Sequence, residues 1–488
     1  MKQQSAASYP EREADMLNDV VHKISDGLMG FGNSNGTGVH IKIGASAVQS
    51  LEPITITSSK KLDYIKNKLG LSPLTDAVMD SIENGASKII CIPVVPGRDG
   101  TVSVIEPSVT EESGSVSVTG KPNNAFEIVV VITGQGVLNT AAFKYSINGG
   151  YTYSEELTVP LGGTYELPDT GITLSFTVDG EKTFKVGDTY KWSTTAPQLT
   201  NENILNGIDR VKNVKAEAEL VHVVGCSNAD TWAAISTLQS TLQTQYHKPL
   251  MFVLEAFEPD TGESMADYVK RLINARKQVK NFEIQVVPSR AMYIGMDGIT
   301  RNVNLASVVC GMYGRTAVNQ SIGQTAIMAI SEDKLLKLLP EGITDDMIDE
   351  LDDNGYLTFR QYDGLEGYYV NNARTLGPEG TDYKYAEDAR VVNKIIRETR
   401  KQALLQLQSD IDLENPTADL QAKVEFIKAP LDTMVNDKEI SSAEVTLPDD
   451  AAESILKEEK LYLTVRYVQR GIIRSIEVDV GKSNPYAS

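Results

Sequence analysis

Apolar and polar residues follow two different periods along this chain, and the period changes twice. Residues 39–43 alternate strictly, as in a strand with one buried face. Ser72 and Pro73 open a helix whose apolar positions recur every three to four residues until Asn84-Gly85. Residues 88–94 are almost continuously apolar, which is typical of a strand covered on both faces. This order predicts an α/β layer.

Between residues 101 and 197 the helical period disappears, and short β runs are separated by turn residues. The runs 143–147 and 151–153 flank Asn148-Gly149-Gly150, which predicts a hairpin. The whole stretch predicts a small all-β module, sandwich-like in form. Because α/β patterns lie on both sides, we expect it to be inserted into a loop of the core.

The α/β pattern resumes with apolar strands predicted at 219–225, 251–254 and 282–287, with helices between them. Strands alternating with helices of this length imply right-handed crossovers and a largely parallel sheet. The predicted fold class is therefore an α/β core with a mostly parallel sheet and flanking helices, an inserted all-β module and an α+β C-terminal part.

Composition narrows the functional classes. With 66 acidic against 46 basic residues the net charge is −20, which argues against direct binding to a nucleic-acid backbone. The three cysteines are far apart, so neither a disulfide framework nor a metal knuckle is indicated. No apolar run is long enough for a membrane span, and residues 1–13 lack the apolar core of a signal peptide. We expect a soluble protein made in the cytoplasm, without membrane insertion.

Three short motifs resemble sites but lack the context that their chemistry needs. Gly32–Gly36 matches G-x-S-x-G, yet a strand follows it instead of a helix. Gly481-Lys482-Ser483 ends like a phosphate loop, but Ile476 occupies the first glycine position. The acidic run 350–355 resembles a calcium loop without its final carboxylate. None of the three predicts a cofactor.

One enzymatic alternative stays open at the carboxyl ends of the parallel strands, where open α/β sheets bind ligands. Asp230, Glu255, Glu258 and Asp260 should gather there and could hold Mg²⁺ for a phosphatase-like hydrolase. Four surface carboxylates are, however, commonplace in a chain of this charge. The β module leaves an adhesin-like surface protein as another alternative.

The C-terminal part has a distinctive order of elements. A predicted hairpin leads into Ala373-Arg374-Thr375-Leu376, and a helix is predicted at 382–407 with an apolar stripe formed by Tyr385, Val392, Ile395, Ile396 and Leu404. A strand over 461–467 and a final one over 475–480 are predicted to form a terminal hairpin. This order resembles the C-terminal domain of contractile tail sheath proteins, whose corresponding motif is aromatic-Gly-Ala-Arg-Thr-Leu. Asn371-Asn372 departs from the usual preceding residues.

The resemblance implies a structural, non-enzymatic subunit without cofactors. It would form stacked hexameric rings around an inner tail tube and contract to drive the tube through a target envelope, with baseplate and tail terminator proteins as further partners. It would belong to a virion tail or another contractile particle assembled in the bacterial cytoplasm. The implied division is a linker arm (1–28), a core (29–100 and 198–350), an outward-facing β domain (101–197), a sheath C-terminal domain (351–470) and a linker strand (471–488).

Sheath subunits complete one another's sheets with their chain ends, so the resemblance also implies residues for strand exchange. An exposed strand at a chain end is a template for pairing with another chain. The expected exchange residues are Val20, His22, Ile24, Ile472, Arg474, Ile476, Val478 and Val480. For the first three, helical spacing competes with the strand interpretation, and the resemblance favours the strand.

The helix predicted at 382–407 is net basic in an acidic chain. Either its charges form an ordinary solvated face, or they meet an acidic inner tube. The candidate tube-facing residues are Arg390, Lys394, Arg397 and Lys401.

Overall fold

The computed structural model describes residues 38–482. The first described elements belong to an α/β unit. The first elements are β1 (His40–Ala45), β2 (Ile54–Thr57), α1 (Leu62–Leu69), α2 (Pro73–Glu83) and β3 (Lys88–Val94). Helix α2 begins as predicted, because the Ser72 hydroxyl accepts the N–H of Thr75 and Pro73 takes the first helical position. Val20, His22 and Ile24 lie outside the described residues.

Eight strands follow between residues 106 and 193. They are β4 (Glu106–Ser108), β5 (Ser115–Gly120), β6 (Glu127–Gly134), β7 (Ala142–Ser146), β8 (Leu157–Thr158), β9 (Thr164–Leu167), β10 (Ile172–Thr177) and β11 (Thr189–Ser193). They form two sheets, in the orders β4-β11-β6-β7-β8 and β5-β10-β9, with antiparallel pairs throughout. The sheets share one apolar core that includes Phe143, Phe176 and Trp192.

The hairpin within these strands differs from its prediction. Strand β7 pairs with β8 and not with residues 151–153. The Asn148 side chain accepts the N–H of Thr152 at 3.0 Å, and Ser146 Oγ accepts the N–H of Gly150 at 2.9 Å. These side-chain bonds hold the segment in a loop, as Asn and Ser side chains commonly do in turns.

The chain then returns to the α/β unit through seven elements. They are α3 (Asn201–Asp209), a 3₁₀ turn (Arg210–Asn213), β12 (Leu220–Ser227), α4 (Ala229–Thr244), β13 (Met251–Ala256), α5 (Met265–Arg276) and β14 (Ile284–Val287). The six-stranded sheet has the order β14-β13-β12-β1-β3-β2, and every pair is parallel except β2 with β3 at one edge. The predicted mixed α/β class is thereby confirmed.

The remaining elements build three smaller sheets and a helical layer. They are β15 (Arg290–Ile294), β16 (Thr300–Asn304), α6 (Ala306–Gly314), β17 (Leu335–Leu339), α7 (Asp345–Asp353), β18 (Phe359–Arg360), β19 (Tyr369–Val370), α8 (Ala386–Leu404), α9 (Pro416–Asn436), β20 (Ile440–Thr446), α10 (Ala451–Glu458) and β21 (Thr464–Gln469). The sheets are β16-β15-β17, β18-β19 and β20-β21. None of the described helices is both long and apolar enough to cross a membrane.

Helix α8 is shorter than the predicted helix and buries a different face. Ile395 of the predicted stripe is buried, but Leu404 is exposed. Charged and amide side chains, Arg390, Asn393 and Arg397, are buried instead. Apolar periodicity counted these as polar positions, and it therefore misplaced the buried face.

Candidate assembly surface

The described part of the chain ends in a segment whose apolar side chains are exposed among residues 38–482. Residues 471–482 form no helix or strand, and Ile476, Val478 and Val480 are 78%, 73% and 87% exposed. Large apolar side chains that alternate with polar ones and remain exposed mark a candidate surface for contact with a partner. We call residues 475–482 the tail.

The terminal hairpin predicted from the sequence is wrong, because β21 pairs with β20 and not with residues 475–480. The register runs from Thr446 opposite Thr464 to Ile440 opposite Gln469, with an irregularity near Ile440. Helix α9 immediately precedes β20 in the chain. The strand predicted over 461–467 and the strand predicted over 475–480 therefore do not pair with each other in the described chain.

Arg474 fixes the base of the tail to its own chain. Its guanidinium bonds the Glu387 carboxylate, lies 3.3 Å from Asn372 Oδ1 and 3.4 Å from Ser321 Oγ, and stacks 3.8 Å above the Tyr385 ring. Burial raises the pKa of Glu387, and the charge of Arg474 opposes that rise. Arg474 thus anchors the base of the tail to its own chain, and its role in strand exchange stays a prediction.

The two-stranded sheet β20-β21 has one buried face and one exposed face. On the inner face Ile440 and Val445 are buried, whereas Val465 and Tyr467 are only half-buried against the same core. Among the described strands, neither β20 nor β21 has a second neighbour. Unpaired backbone groups along such edges are templates for an added strand.

Arg390, predicted to face a tube, is fully buried. Its Nε donates to Glu219 Oε1 at 2.5 Å, and its Nη atoms donate to the carbonyls of Tyr313, Thr316 and Ala317 at 3.1 to 3.2 Å. The Tyr313 carbonyl belongs to the last turn of α6 and the other two follow the end of that helix, where a cation is favourable. Although burial favours the neutral acid, the charges of Arg390 and Arg397 hold the pKa of Glu219 below its usual value.

The other three candidate tube-facing residues of α8 are also paired within the chain. The closest ion-pair distances are 2.6 Å from Lys394 to Glu439, 3.4 Å from Arg397 to Glu217, and 2.8 Å from Lys401 to Glu217. The Arg397 side chain is 8% exposed and that of Lys401 is 48% exposed. Arg390 and Arg397 therefore offer no surface charge, and this corrects the interpretation of α8 as a continuous basic face.

The motif Ala373-Arg374-Thr375-Leu376 connects the large sheet to the start of α8. Leu376 donates its N–H to the Ile284 carbonyl at 2.7 Å, and Ala373 accepts the N–H of Ala386 at 2.7 Å. Arg374 Nε donates to the Asp352 carbonyl at 2.7 Å. Through these backbone hydrogen bonds, the four residues link the start of α8 to strand β14 of the large sheet.

The four carboxylates of the enzymatic alternative do not converge on a common ion. Glu255 bonds His222 Nε2 at 3.1 Å, Glu258 pairs with Arg290 at 3.1 Å, and Asp260 lies 3.6 Å from Arg271. Within residues 38–482, no group of three or more His, Cys, Asp or Glu side chains is arranged to hold a metal ion.

Sequence reasoning missed a buried chain of titratable groups across the large sheet. Lys42 Nζ lies 2.7 Å from His222 Nδ1, and His222 links onward to Glu255. Burial lowers the pKa of both Lys42 and His222, and it raises that of Glu255. Lys42, His222 and Glu255 belong to the neighbouring parallel strands β1, β12 and β13. Because these strands are far apart in sequence, their side chains could be placed together only once the strand order was known.

Comparison with known proteins gives two kinds of match. Residues 17–374 match the N-terminal domain of DUF2586, and residues 382–487 match its C-terminal domain. No curated protein matches the chain significantly in sequence.

Several solved structures are similar to this chain over nearly its whole length. The PVC sheath complex of an extracellular contractile injection system, in its contracted state, is 12% identical over 98% of this chain and 99% of that chain, with a TM-score of 0.54. A chain of the anti-feeding prophage baseplate is 10% identical over 98% and 100%, with a TM-score of 0.53. A sheath tail protein from Desulfitobacterium hafniense is 14% identical over 93% and 100%, with a TM-score of 0.49.

Proposed function

From the premise that this chain belongs to the DUF2586 family and has the fold of contractile sheath structures, we propose that it is the structural subunit of a contractile sheath. Copies would stack as rings around an inner tube and repack on contraction, driving the tube through a target envelope. The observation that carries the proposal is the exposed apolar tail of a chain that has this fold.

Strand exchange is the physical basis of the proposed linkage. An added strand gains main-chain hydrogen bonds along its length, while its side chains fix the register. The six residues 475–480 can extend about 20 Å, at about 3.3 Å per residue. That matches β21, which also has six residues. Such a tether keeps neighbouring copies connected while their other contacts change.

Two ion pairs within the chain support movement of each subunit as a rigid body. The buried pair of Arg390 and Glu219 joins α8 to the large sheet, and the partly exposed pair of Arg374 with Asp352 joins the loop before α8 to the end of α7. Removing one partner of a buried pair costs about 3–5 kcal/mol, so the connection through Arg390 resists rearrangement. We propose that contraction repacks the surfaces between subunits, with the energy supplied by a better-packed final state and without nucleotide hydrolysis.

The finer organisation is proposed on the same basis. Residues 1–28 would form a second linker arm, residues 351–470 the assembly domain, and the strands between 101 and 197 a module facing outward. The subunits would form hexameric rings with one another, and their other partners would be a tube protein, baseplate proteins and terminator proteins. The particle would assemble in a bacterial cytoplasm and act as a virion tail or a related contractile machine.

Lys401 is the remaining candidate for a tube contact on α8, because about half of its side chain is exposed. Its charge is partly matched by Glu217 and Glu398. The hydrolase and adhesin alternatives are not favoured by the comparisons, which lead to sheath structures.

Negative-stain microscopy of the purified full-length chain tests the proposal directly. We expect sleeves or stacked rings from the intact chain. A variant ending at Arg474, which keeps the anchor and loses the tail, should remain as discrete folded particles. Ordinary cylinders from the truncated variant would contradict strand linkage, and phosphatase activity of discrete wild-type particles with Mg²⁺ would favour the hydrolase.

A further inference from the structure

We propose that the chain binds a small organic anion, a carboxylic acid with an apolar body, in a cavity at the carboxyl end of β14. Open α/β sheets bind ligands beyond the carboxyl ends of their strands. The cavity has a volume of about 410 Å³, which lies within the usual range for small-molecule sites. The proposal goes beyond the sheath function and does not depend on it.

The cavity lies where the large sheet meets the elements that follow it in the chain. Its walls come from α5, α7, β17, β18 and the two residues directly after β14. One part of the wall is apolar and suits the body of a ligand. The buried apolar side chains in that part are Ile348, Leu351, Phe359 and Tyr368.

Two hydrogen-bond donors in the wall have no partner among the described residues. They are Thr358 Oγ1 and Arg360 Nε, and both atoms are buried. Thr358 is 2% exposed, and it lines the cavity together with Arg360. Side chains two positions apart on a strand share a face. Because a buried polar atom without a partner is costly and rare, these two donors indicate an acceptor inside the cavity.

The other hydroxyl groups of the wall are already bonded within the chain. Tyr268 and Tyr368 donate to backbone carbonyls at 2.9 and 3.3 Å. Ser289 Oγ accepts a backbone N–H at 3.2 Å. The place for the ligand's polar group is therefore beside Thr358 and Arg360.

The charges around the cavity favour an anion at this place. Lys337 and Glu341 pair with each other at 2.5 Å, and both are more than half exposed. Arg360 Nη2 pairs with Asp345 at 3.2 Å, but the Asp345 side chain is 68% exposed, and exposed ion pairs are weak. Nε and Nη2 form one edge of the guanidinium, which matches the two oxygens of a carboxylate.

A ligand carboxylate would thus accept hydrogen bonds from the Thr358 hydroxyl and from Arg360 Nε. It would also compete with Asp345 for Nη2 of the same guanidinium edge. Its apolar body would contact the side chains of α7 and β18 that line the cavity. A neutral analogue of the same shape would lose the charge-assisted bonds to Arg360.

Calorimetric titration of the purified full-length chain with naphthylacetate tests the site. Naphthylacetamide is the matched neutral ligand, because it keeps the apolar body and lacks the charge. We expect the acid to bind at least tenfold more tightly than the amide. Thr358→Val keeps the shape of the side chain and should weaken binding of the acid at least fivefold, whereas Thr358→Ser should leave it unchanged. Arg360→Gln should reduce the affinity for the acid to that for the amide.

Asp345→Asn gives a result that a merely structural role would not produce. It removes the acid that competes for Arg360, so we expect the variant to bind naphthylacetate at least twofold more tightly than the parent. Arg466→Gln on β21 is the control, since Arg466 does not line the cavity, and it should leave the affinity unchanged. Circular dichroism of each variant verifies that it is folded.

Equal affinities for the acid and the amide would overturn the proposal, as would unchanged binding by folded Thr358→Val and Arg360→Gln variants. Absence of measurable binding at millimolar naphthylacetate would also overturn it. If single chains bind the acid but assembled sleeves do not, a neighbouring copy covers the cavity and the small-molecule assignment is wrong. A chain that binds the acid but forms no sleeves would contradict the proposed function alone.

Discussion

At the scale of single residues, the least predictable feature is the burial of charge. Arg390 sits on a helix whose basic residues look like a solvent face, yet its guanidinium is enclosed by carbonyls and by Glu219. Amphipathic periodicity identifies apolar faces and cannot identify a charge whose partner is distant in sequence. Glu219 lies 171 positions from Arg390, so only the fold reveals the pair.

Arg390→Ala should lower the free energy of unfolding by about 3–5 kcal/mol, because it leaves the Glu219 carboxylate buried without its partner. Lys401→Ala is the matched control on the same helix, and we expect a change below about 1 kcal/mol, since its ion pair is half-exposed. Denaturant unfolding of both variants measures the difference. Similar losses for the two would show that the buried pair is not the stabilising contact.

Glu283 gives a stability change with a definite dependence on pH. Burial raises its pKa from 4.5 to about 8, while Asn393 donates to one of its oxygens at 2.8 Å. Because the folded-state pKa lies above the unfolded value, the contribution of Glu283 to stability is complete below about pH 4.5 and is lost as pH rises through about 8.

Glu283→Gln keeps the shape of the side chain and removes this titration. We expect the variant to match the parent near pH 5 and to exceed it at pH 9 by at least about 1.4 kcal/mol, the equivalent of one pKa unit. Unfolding free energies measured at both pH values test this. A constant difference between variant and parent across the range would contradict the assigned ionisation.

At the scale of elements, alternating patterns identified the strands but not their partners. The large sheet and the α2 cap follow from local signals, namely apolar runs and a Ser-Pro start. The terminal hairpin did not form, because a strand pattern does not specify which edge it joins. The uncovered tail is the part of the candidate surface that sequence did indicate, through its alternation of Ile and Val with Ser, Glu and Asp.

Replacing Ile476, Val478 and Val480 together by Ser should abolish assembly without unfolding the chain. The three side chains are already exposed, so we expect the unfolding free energy to change by less than about 0.5 kcal/mol. Sedimentation of sleeves should fall at least tenfold, because the apolar face that docks is lost. Ile473→Ser is the control, since Ile473 is 80% exposed but precedes the tail and its Arg474 anchor. Equal loss in the control would indicate a general solubility effect.

At the scale of the whole molecule, the β strands between residues 106 and 193 form a unit with its own core. The two chain segments that enter and leave this unit lie side by side, with backbone hydrogen bonds of 3.0 and 3.1 Å between Arg98 and Gln198. Asn124 of the unit donates a hydrogen bond to Asp76 of helix α2 at 2.8 Å, and Leu71, just before α2, packs against the core of the unit. A closed junction with few outside contacts is typical of an inserted module.

Replacing residues 101–195 by a short Gly-Ser linker should therefore leave the rest of the chain folded and able to assemble. The paired backbones at Arg98 and Gln198 hold the two junction ends together, so the linker has little distance to cover. We expect the unfolding free energy of the remainder to fall by less than about 3 kcal/mol, from the lost Asn124 bond and the uncovered Leu71. Microscopy should still show sleeves, thinner in their outer wall if the module faces outward. Sleeves of unchanged outer diameter would contradict that orientation, whereas absence of sleeves from a folded variant would place the module within the contacts between subunits.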